Sequence, residues 1–220
     1  GHQPRGGSLL PQKTDPNWHR QRREEIVNTA ARLFQQYGYR RTTLEQVASQ
    51  LGFTRPALYH YIDSKEDLLT EIYGRVMEQI TRQLQQNLSA GLDPIETLHR
   101  AIVSHVEFIV SNAAIVTVFF QEKTELPADQ YRVIADQKRR YDELLVSLIQ
   151  SGQAQGLLRP VDAETAVNLI MGMCNWPYQW YRPEGRLSAH KIGELAAQVC
   201  LAGLIAIPED RHHAEPDASR

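Results

Sequence analysis

Apolar residues recur every three or four positions along most of the chain, which is the spacing of one helix face. Between His19 and Tyr37 this stripe follows a strongly charged start, and Gly38 comes directly after it. Glycine suits the left-handed backbone that ends many helices, so a first helix is predicted to end at Tyr37. The apolar positions of this helix are Ile26, Ala30, Leu33, Phe34 and Tyr37.

Two short helices are predicted after the first. Thr42 and Glu45 have the spacing of a capping box, in which the threonine side chain accepts from the glutamate backbone, so a helix is expected to start near Thr43. Gly52 then provides a turn, and Thr54 is predicted to cap a second short helix. Two short helices joined by a glycine-containing turn have the helix-turn-helix pattern, whose second helix fits the major groove of DNA.

The remaining chain also has helical periodicity, and no sheet or internal repeat is predicted. One apolar stripe runs from Ser64 to about Gly91, and Asp93 marks the start of a helix that ends near Ser111. The nearly apolar segment 113–120 is expected to be buried. Further helices are predicted over 128–151, 163–182 and 189–206, the first ending at Gly152 and the second capped by Asp162.

Composition and charge narrow the class of protein. The chain has 220 residues, 42% of them hydrophobic, and a net charge of −2. Residues 13–65 carry nine Lys and Arg against five Asp and Glu, whereas residues 66–220 carry fourteen against twenty-one. The excess of basic residues over 13–65 is what a domain that binds polyanions such as DNA would show. An uneven distribution of solvated surface charge explains the same excess equally well.

Several classes of protein are disfavoured. No apolar run reaches the ~20 residues of a membrane span, and the first residues lack the apolar core of a signal peptide, so we expect a cytoplasmic protein. Cys174 and Cys200 have no metal-binding or redox spacing, and neither a metal nor a cofactor is expected. His105 and Glu107 diverge on one helix, so no catalytic residues are assigned.

The segment from Ile26 to Tyr73 resembles the DNA-binding domain of the TetR/AcrR family of one-component repressors. Tyr61 stands where this family commonly has Phe, a substitution that should still pack. The resemblance rests on residues in their usual order and without insertion: Ala30, Leu33, Phe34, Gly38, Tyr39, Thr42, Thr43, Val47, Ala48, Gly52, Leu58, Tyr59, Tyr61, Lys65, Glu66, Leu68 and Leu69.

Seven residues are predicted to contact DNA. Thr43 and Lys65, at helix starts, are expected to hold DNA phosphates. Such contacts position the protein on the duplex but do not recognise the base sequence. Arg55 can pair with guanine and Ala57 can meet a thymine methyl group. For Tyr59 a phosphate contact and partial packing are both open. The full candidate set is Thr43, Thr54, Arg55, Ala57, Tyr59, His60 and Lys65.

A second stretch, 175–188, is similar to a branch of the family that includes repressors of fatty-acid, steroid and aromatic-acid catabolism. The similarity rests on Trp180-Tyr181-Arg182-Pro183 and implies an acyl-CoA thioester as effector. In this family the last two helices of each subunit usually form the dimer interface, so Trp180 and Tyr181 are assigned there, with ligand contact as the alternative for Trp180. The candidate ligand-binding residues, for which core packing is the alternative, are Phe108, Phe119, Phe120, Met171 and Asn175.

The predicted fold is all-α, with a three-helix helix-turn-helix domain followed by a larger helical domain. We expect a disordered arm or tag remnant (1–16), a DNA-binding domain (17–64), a ligand-binding and dimerisation domain (65–207) and a flexible tail (208–220). The predicted function is a homodimeric repressor that binds near-palindromic operator DNA and is released by a small molecule, with no membrane partner. The alternatives are an efflux regulator that binds a drug-like ligand, an acyl-CoA enzyme, and an architectural DNA-binding protein.

Overall fold

The structure, a computed structural model, describes residues 16–122 and 126–207, and helices connected by short loops make up most of these ranges. The expected arm and tail therefore lie outside the described residues, except that Pro16 begins the first helix. The all-α prediction is confirmed, since the described residues contain a single isolated bridge, between Leu158 and Ile205, and no strand. The helices are α1 (Pro16–Tyr37), α2 (Leu44–Gln50), α3 (Arg55–Tyr59), α4 (Lys65–Leu88), α5 (Pro94–Ser111), α6 (Ala113–Glu122), α7 (Ala128–Ala154), α8 (Ala163–Asn175), α9 (Pro177–Trp180) and α10 (Ala189–Leu204).

The described chain divides into two compact units between Ile72 and Tyr73. The first unit packs α1, α2, α3 and the first residues of α4 around one apolar core, in which Phe34 and Leu58 are almost completely buried. Gly38 and Gly52, with φ of 82° and 66°, end α1 and α2 in the left-handed conformation that favours glycine. None of the helices in the described ranges is long and apolar enough to cross a membrane.

The cap of α2 differs from the prediction by one residue. Thr43, not Thr42, is the cap: its hydroxyl accepts from the Gln46 amide at 3.2 Å, and the Gln46 side-chain oxygen accepts from the Thr43 amide at 2.8 Å. Thr42 is buried and donates its hydroxyl to the Gly38 carbonyl, 2.9 Å away. The Thr42 hydroxyl is therefore engaged by the backbone at the end of α1, and Thr43 forms the capping box in its place.

The second unit contains the rest of α4 and helices α5 to α10. Helix α5 lies at its centre and packs against α7, α8 and α10, which explains why most of its side chains are buried. Asp93 caps this helix by accepting from the Glu96 amide at 2.9 Å, and Asp162 caps α8 by accepting from the Thr165 amide at 2.8 Å. Both caps agree with the sequence analysis.

Three predicted helix ends in the second unit are wrong, and one of them is the end of α10, at Leu204 and not at 206. The helix expected over 163–182 breaks after Asn175, because Pro177 has no N–H to continue the helix and instead begins the short helix α9. Helix α7 continues past Gly152 to Ala154. A Cβ atom on Gly152 would lie 2.6 Å from the Leu158 side chain, so this glycine permits close packing, and Gly156 has the left-handed φ of 68°.

Candidate nucleic-acid interface and ligand cavity

Helix α3 presents its polar side to solvent. Thr54 accepts from the Ala57 amide at 3.3 Å and so fixes where α3 begins, while Leu58 anchors the helix in the core of the first unit. Arg55, Tyr59 and His60 are exposed, and Ala57 is half-buried. Arg55 and Tyr59 on α3 and His60 directly after it are thus accessible to a ligand, whereas Ala57 is only partly accessible.

Arg55 is held by two neighbours. Its guanidinium lies 2.8 Å from the Glu45 carboxylate and 5.7 Å from the centre of the Tyr59 ring, and 62% of its side chain is exposed. The hydrogen bond to Tyr59 and the charge of Glu45 raise the pKa of Arg55 above its usual value. The pKa of Glu45 is lowered, first by its own backbone amide and then by Arg55 among other causes. Arg55 is therefore a charged, accessible and partly ordered group.

Thr43 and Lys65 occupy the starts of α2 and α4, as predicted for phosphate-binding groups. The Thr43 oxygen accepts the capping hydrogen bond, and its hydroxyl donates to the Glu45 carboxylate, which helps to lower the pKa of Glu45. The Lys65 ammonium lies 4.2 Å from the centre of the Tyr39 ring, and this cation–π contact orients the side chain.

One supporting group was missed by the sequence analysis. Arg23 of α1 forms ion pairs with Asp67 (3.3 Å) and Glu71 (2.8 Å) on α4, and it donates to the Tyr61 carbonyl just after α3. From its place on α1, Arg23 thus links α4 to the backbone just after α3. In the sequence Arg23 is one of several charged residues at the start of α1, and nothing in the helical pattern distinguishes it from its solvated neighbours.

The second unit contains a cavity of about 320 Å³ between α4, α5, α6, α7 and α8. All five candidate ligand-binding residues line it. Its wall is largely apolar and aromatic, and Tyr73 stacks on Phe119 with ring centres 3.9 Å apart. The lining residues are Tyr73, Val76, Met77, Ile80, His105, Phe108, Ile109, Val116, Phe119, Phe120, Tyr131, Ile134, Ala135, Lys138, Arg139, Tyr141, Asp142, Met171 and Asn175.

Three polar side chains form a hydrogen-bonded chain at the wall of this cavity. His105 Nδ1 lies 2.8 Å from the Tyr141 hydroxyl, and His105 Nε2 lies 2.8 Å from Asn175 Oδ1. Burial lowers the pKa of His105 below its ordinary value of 6.5, against smaller opposing effects of Asn175 and Asp142, so the imidazole is neutral near pH 7. Sequence analysis had assigned only Asn175, because a histidine and a tyrosine on apolar helix faces resemble ordinary core residues.

Charged side chains border the cavity on α7. Lys138 and Arg139 are exposed and also line the cavity, so they mark the place where it reaches the protein surface. Lys138 pairs with Asp142, and Arg139 lies 2.9 Å from Asp136. The cavity therefore combines an apolar interior with an edge of paired basic and acidic side chains.

The residues assigned to dimerisation lie away from the cavity lining. Trp180 of α9 is half exposed and Tyr181 is half-buried, and neither lines the cavity. Exposed apolar side chains also lie on helices α8 and α10, and their position was not predicted residue by residue. This surface, here called the α8/α10 face, consists of Leu169, Met173, Leu195 and Val199, which are 44% to 70% exposed.

Comparison with known proteins defines the class of this protein. Residues 26–72 match the family model of bacterial regulatory proteins of the tetR family, and residues 91–204 match the model of the tetracyclin repressor-like C-terminal domain. The chain therefore belongs to the TetR family of bacterial transcriptional regulators. The family resemblance found in the sequence is confirmed.

Particular relatives cover nearly the whole chain. The HTH-type transcriptional repressor KstR2 of Mycolicibacterium smegmatis is 27% identical over 199 residues, which span 90% of this chain and 97% of KstR2. A TetR/AcrR regulator from Thermobifida fusca is 33% identical, with a TM-score of 0.73 over 83% of this chain and 98% of that one. AibR, solved with isovaleryl coenzyme A and operator DNA, is 28% identical, with a TM-score of 0.72 over 81% of this chain and 97% of its own.

Proposed function

We propose that this protein is a cytoplasmic, ligand-responsive repressor that binds a near-palindromic operator as a homodimer and is released by an acyl-CoA thioester. One observation carries the proposal: the same chain has an exposed helix-turn-helix surface and, in its second unit, an apolar cavity with charged side chains at its edge. The relatives support it, because KstR2 is named a transcriptional repressor and AibR was solved with both an acyl-CoA and operator DNA.

Helix α3 is the proposed recognition helix. Arg55 exchanges the Glu45 carboxylate for the acceptor edge of a guanine, and Ala57 contacts a thymine methyl group. Thr43 and Lys65 hold DNA phosphates on either side of α3. Thr54, Tyr59 and His60 contact the sugar-phosphate backbone of the DNA next to this helix. Because the Tyr59 ring limits the conformations of Arg55, less conformational entropy is lost when Arg55 binds DNA.

The α8/α10 face is the proposed core of the dimer interface. Its four exposed apolar side chains recur at i and i+4 on each of two helices that pack against each other, so each helix carries an apolar stripe. Such a stripe on a monomer indicates a partner surface, and the family expectation of a four-helix interface supplies a second copy of these helices. Trp180 and Tyr181 extend this interface at the end of α9.

The cavity fits an acyl group better than a whole CoA molecule. Its volume of about 320 Å³ is at the small end of the range for ligand pockets, and its walls are mainly hydrocarbon and aromatic rings. To bind the CoA phosphates outside the cavity, Lys138 and Arg139 at the edge exchange their partners Asp142 and Asp136 for phosphate oxygens. A neutral drug-like effector would use the apolar wall alone, and it is the second candidate.

Helix α4 connects the two proposed activities along the chain. Its first residue is Lys65, one of the proposed phosphate contacts, and further along Tyr73, Met77 and Ile80 line the cavity. An effector that moves this helix changes the spacing of the two recognition helices in the dimer. A tenfold loss of operator affinity requires a preference of only ~1.4 kcal/mol for the displaced state.

A gel-shift panel tests the proposal. Purified protein is mixed with its own promoter fragment and a scrambled duplex, and free fatty acids, CoA, acyl-CoAs and lipophilic drugs are added in separate lanes. We expect binding to the promoter alone and release by acyl-CoA only. Release by drugs alone would favour the efflux regulator, equal binding to both duplexes would favour an architectural protein, and acyl-CoA hydrolysis in a parallel assay would favour an enzyme.

A further inference from the structure

We infer that the cavity selects effectors that carry a carbonyl oxygen, and that the side-chain amide of Asn175 donates the hydrogen bond that recognises it. This inference rests on the proposed effector-binding role of the cavity and identifies the polar group that the ligand needs. The geometry that supports it is the chain of hydrogen bonds from Tyr141 through His105 to Asn175.

The direction of these hydrogen bonds follows from the atoms involved. Asn175 Oδ1 can only accept, so His105 Nε2, 2.8 Å away, carries the hydrogen. A neutral imidazole has one N–H, so Nδ1 is unprotonated and accepts from the Tyr141 hydroxyl at 2.8 Å. Both nitrogens of His105 are therefore occupied, and the histidine offers no polar atom to a ligand.

The same bonds fix which end of the Asn175 amide is available. Because Oδ1 accepts from His105, the two Nδ2 hydrogens are left, and no acceptor for them is present among the described residues. Tyr73 and Tyr131 also line the cavity, but a hydroxyl rotates and can donate or accept. Lys138 and Arg139 are engaged by Asp142 and Asp136 at the edge. Asn175 is thus a neutral lining residue that can only donate to a ligand, because its hydrogen bond with His105 occupies Oδ1 and leaves Nδ2.

This arrangement discriminates strongly between ligands. A purely alkyl ligand that displaces water from Nδ2 leaves a donor without a partner, whereas a carbonyl oxygen restores the hydrogen bond. Sites built to hydrogen-bond a ligand reject the analogue that lacks the polar atom far more strongly than apolar pockets reject a missing methylene. Both a thioester and a ketone supply the oxygen.

The test compares ligands that differ only in the carbonyl group. Binding of octanoyl-CoA and of S-octyl-CoA, the thioether without the carbonyl, is measured by calorimetry on the full chain. A second pair, methyl hexyl ketone and octane, shows whether the carbonyl oxygen that is recognised belongs to a ketone and not to a thioester. For the wild-type protein we expect the carbonyl member of at least one pair to bind at least ten times more tightly.

Variants of Asn175 assign this preference to the amide. Asn175→Leu should bring the two Kd values within about twofold of each other, with S-octyl-CoA binding retained. Asn175→Asp, measured at alkaline pH, keeps an acceptor for His105 and places a second acceptor toward the ligand, so it should reverse the preference. Tyr141→Phe removes the hydroxyl that orients His105, and it should weaken the preference while S-octyl-CoA still binds.

Each outcome is decisive. Equal affinities in the wild-type protein, or an undiminished preference in Asn175→Leu, would overturn the inference and leave the acyl-CoA effector standing. If only the ketone pair binds with an Asn175-dependent preference, the carbonyl inference holds and the proposed acyl-CoA effector is wrong. If no member of either pair binds, both are overturned.

Discussion

The two compact units place their candidate functional residues in different ways. In the first unit all seven candidate DNA-contacting residues lie between Thr43 and Lys65, and backbone caps at Thr43 and Thr54 position the helices that carry them. In the second unit the cavity is lined from five helices, and its residues range from Tyr73 to Asn175. A locally built surface thus contrasts with a cavity that exists only after tertiary packing.

This difference determines how each unit responds to substitution. Side chains such as Arg55 and Tyr59 are exposed, so replacing them changes recognition with little effect on the fold. Cavity residues such as Met171 and Phe108 are also buried core residues, so replacing them changes packing and ligand fit together. Experiments on the second unit therefore need variants of conserved volume or charge as controls.

The largest effect on operator affinity is expected from a substitution in the second unit that prevents dimerisation. Val199→Glu places a charge in the α8/α10 face and should yield a monomer in light scattering, because an unpaired charge in an interface costs several kcal/mol. Operator affinity should fall by at least about a hundredfold, since one half-site is then bound at a time. Val133→Glu on α7, a valine with the same exposed fraction of 53%, is the matched control. A dimeric Val199→Glu would exclude this face as the interface.

Arg55→Ala tests base recognition by the first unit. The variant should lose on the order of 1 to 3 kcal/mol of operator binding and should no longer discriminate at one base position. Binding to a library of single-base operator variants measures both effects. Arg32→Ala on α1 removes an exposed arginine from the same unit and should leave base preference intact. An unchanged preference in Arg55→Ala would remove this residue from sequence recognition.

The buried His105 predicts a pH dependence specific to the second unit. Its folded-state pKa is lowered, so the unfolded chain binds the proton more readily, and unfolding free energy should fall as pH drops through about 6.5. The contribution is at most about 1.4 kcal/mol per pH unit. Urea unfolding of wild type and His105→Gln at several pH values should show a smaller slope for the variant. Identical slopes would contradict the assignment of a neutral His105.

The smallest effect is expected at a phosphate contact. Lys65→Ala should weaken binding to operator and scrambled duplexes alike by several-fold, and it should reduce the slope of log affinity against log salt by about one. Filter binding across a salt series measures this slope. A change confined to the operator would show that Lys65 contributes to sequence recognition.

The contrast between the two units also explains what sequence could predict. The first unit was predicted in detail because caps, glycines and short spacings are local, and even there the cap moved from Thr42 to Thr43 because the Thr42 hydroxyl is used by the end of α1. For the cavity, helical stripes predicted its five candidate lining residues but not the partners His105 and Tyr141. These two are 36 residues apart, and no local pattern indicates their contact.

The break after Asn175 illustrates the same limit. The apolar pattern over 163–182 continues across Pro177, so periodicity predicted one helix where the structure has two. The proline was the local indication of the break, and giving it more weight than the apolar stripe would have placed the boundary correctly.

Cavity filling tests most directly whether the second unit controls the first. The Kd for the operator is measured by fluorescence anisotropy, with and without octanoyl-CoA, for wild type, Met171→Trp and the volume-conserving control Met171→Leu. The account predicts that octanoyl-CoA weakens binding at least about tenfold in wild type and Met171→Leu and leaves Met171→Trp, whose indole occupies the cavity, unchanged. Equal release of all three proteins, or release of none, would contradict it.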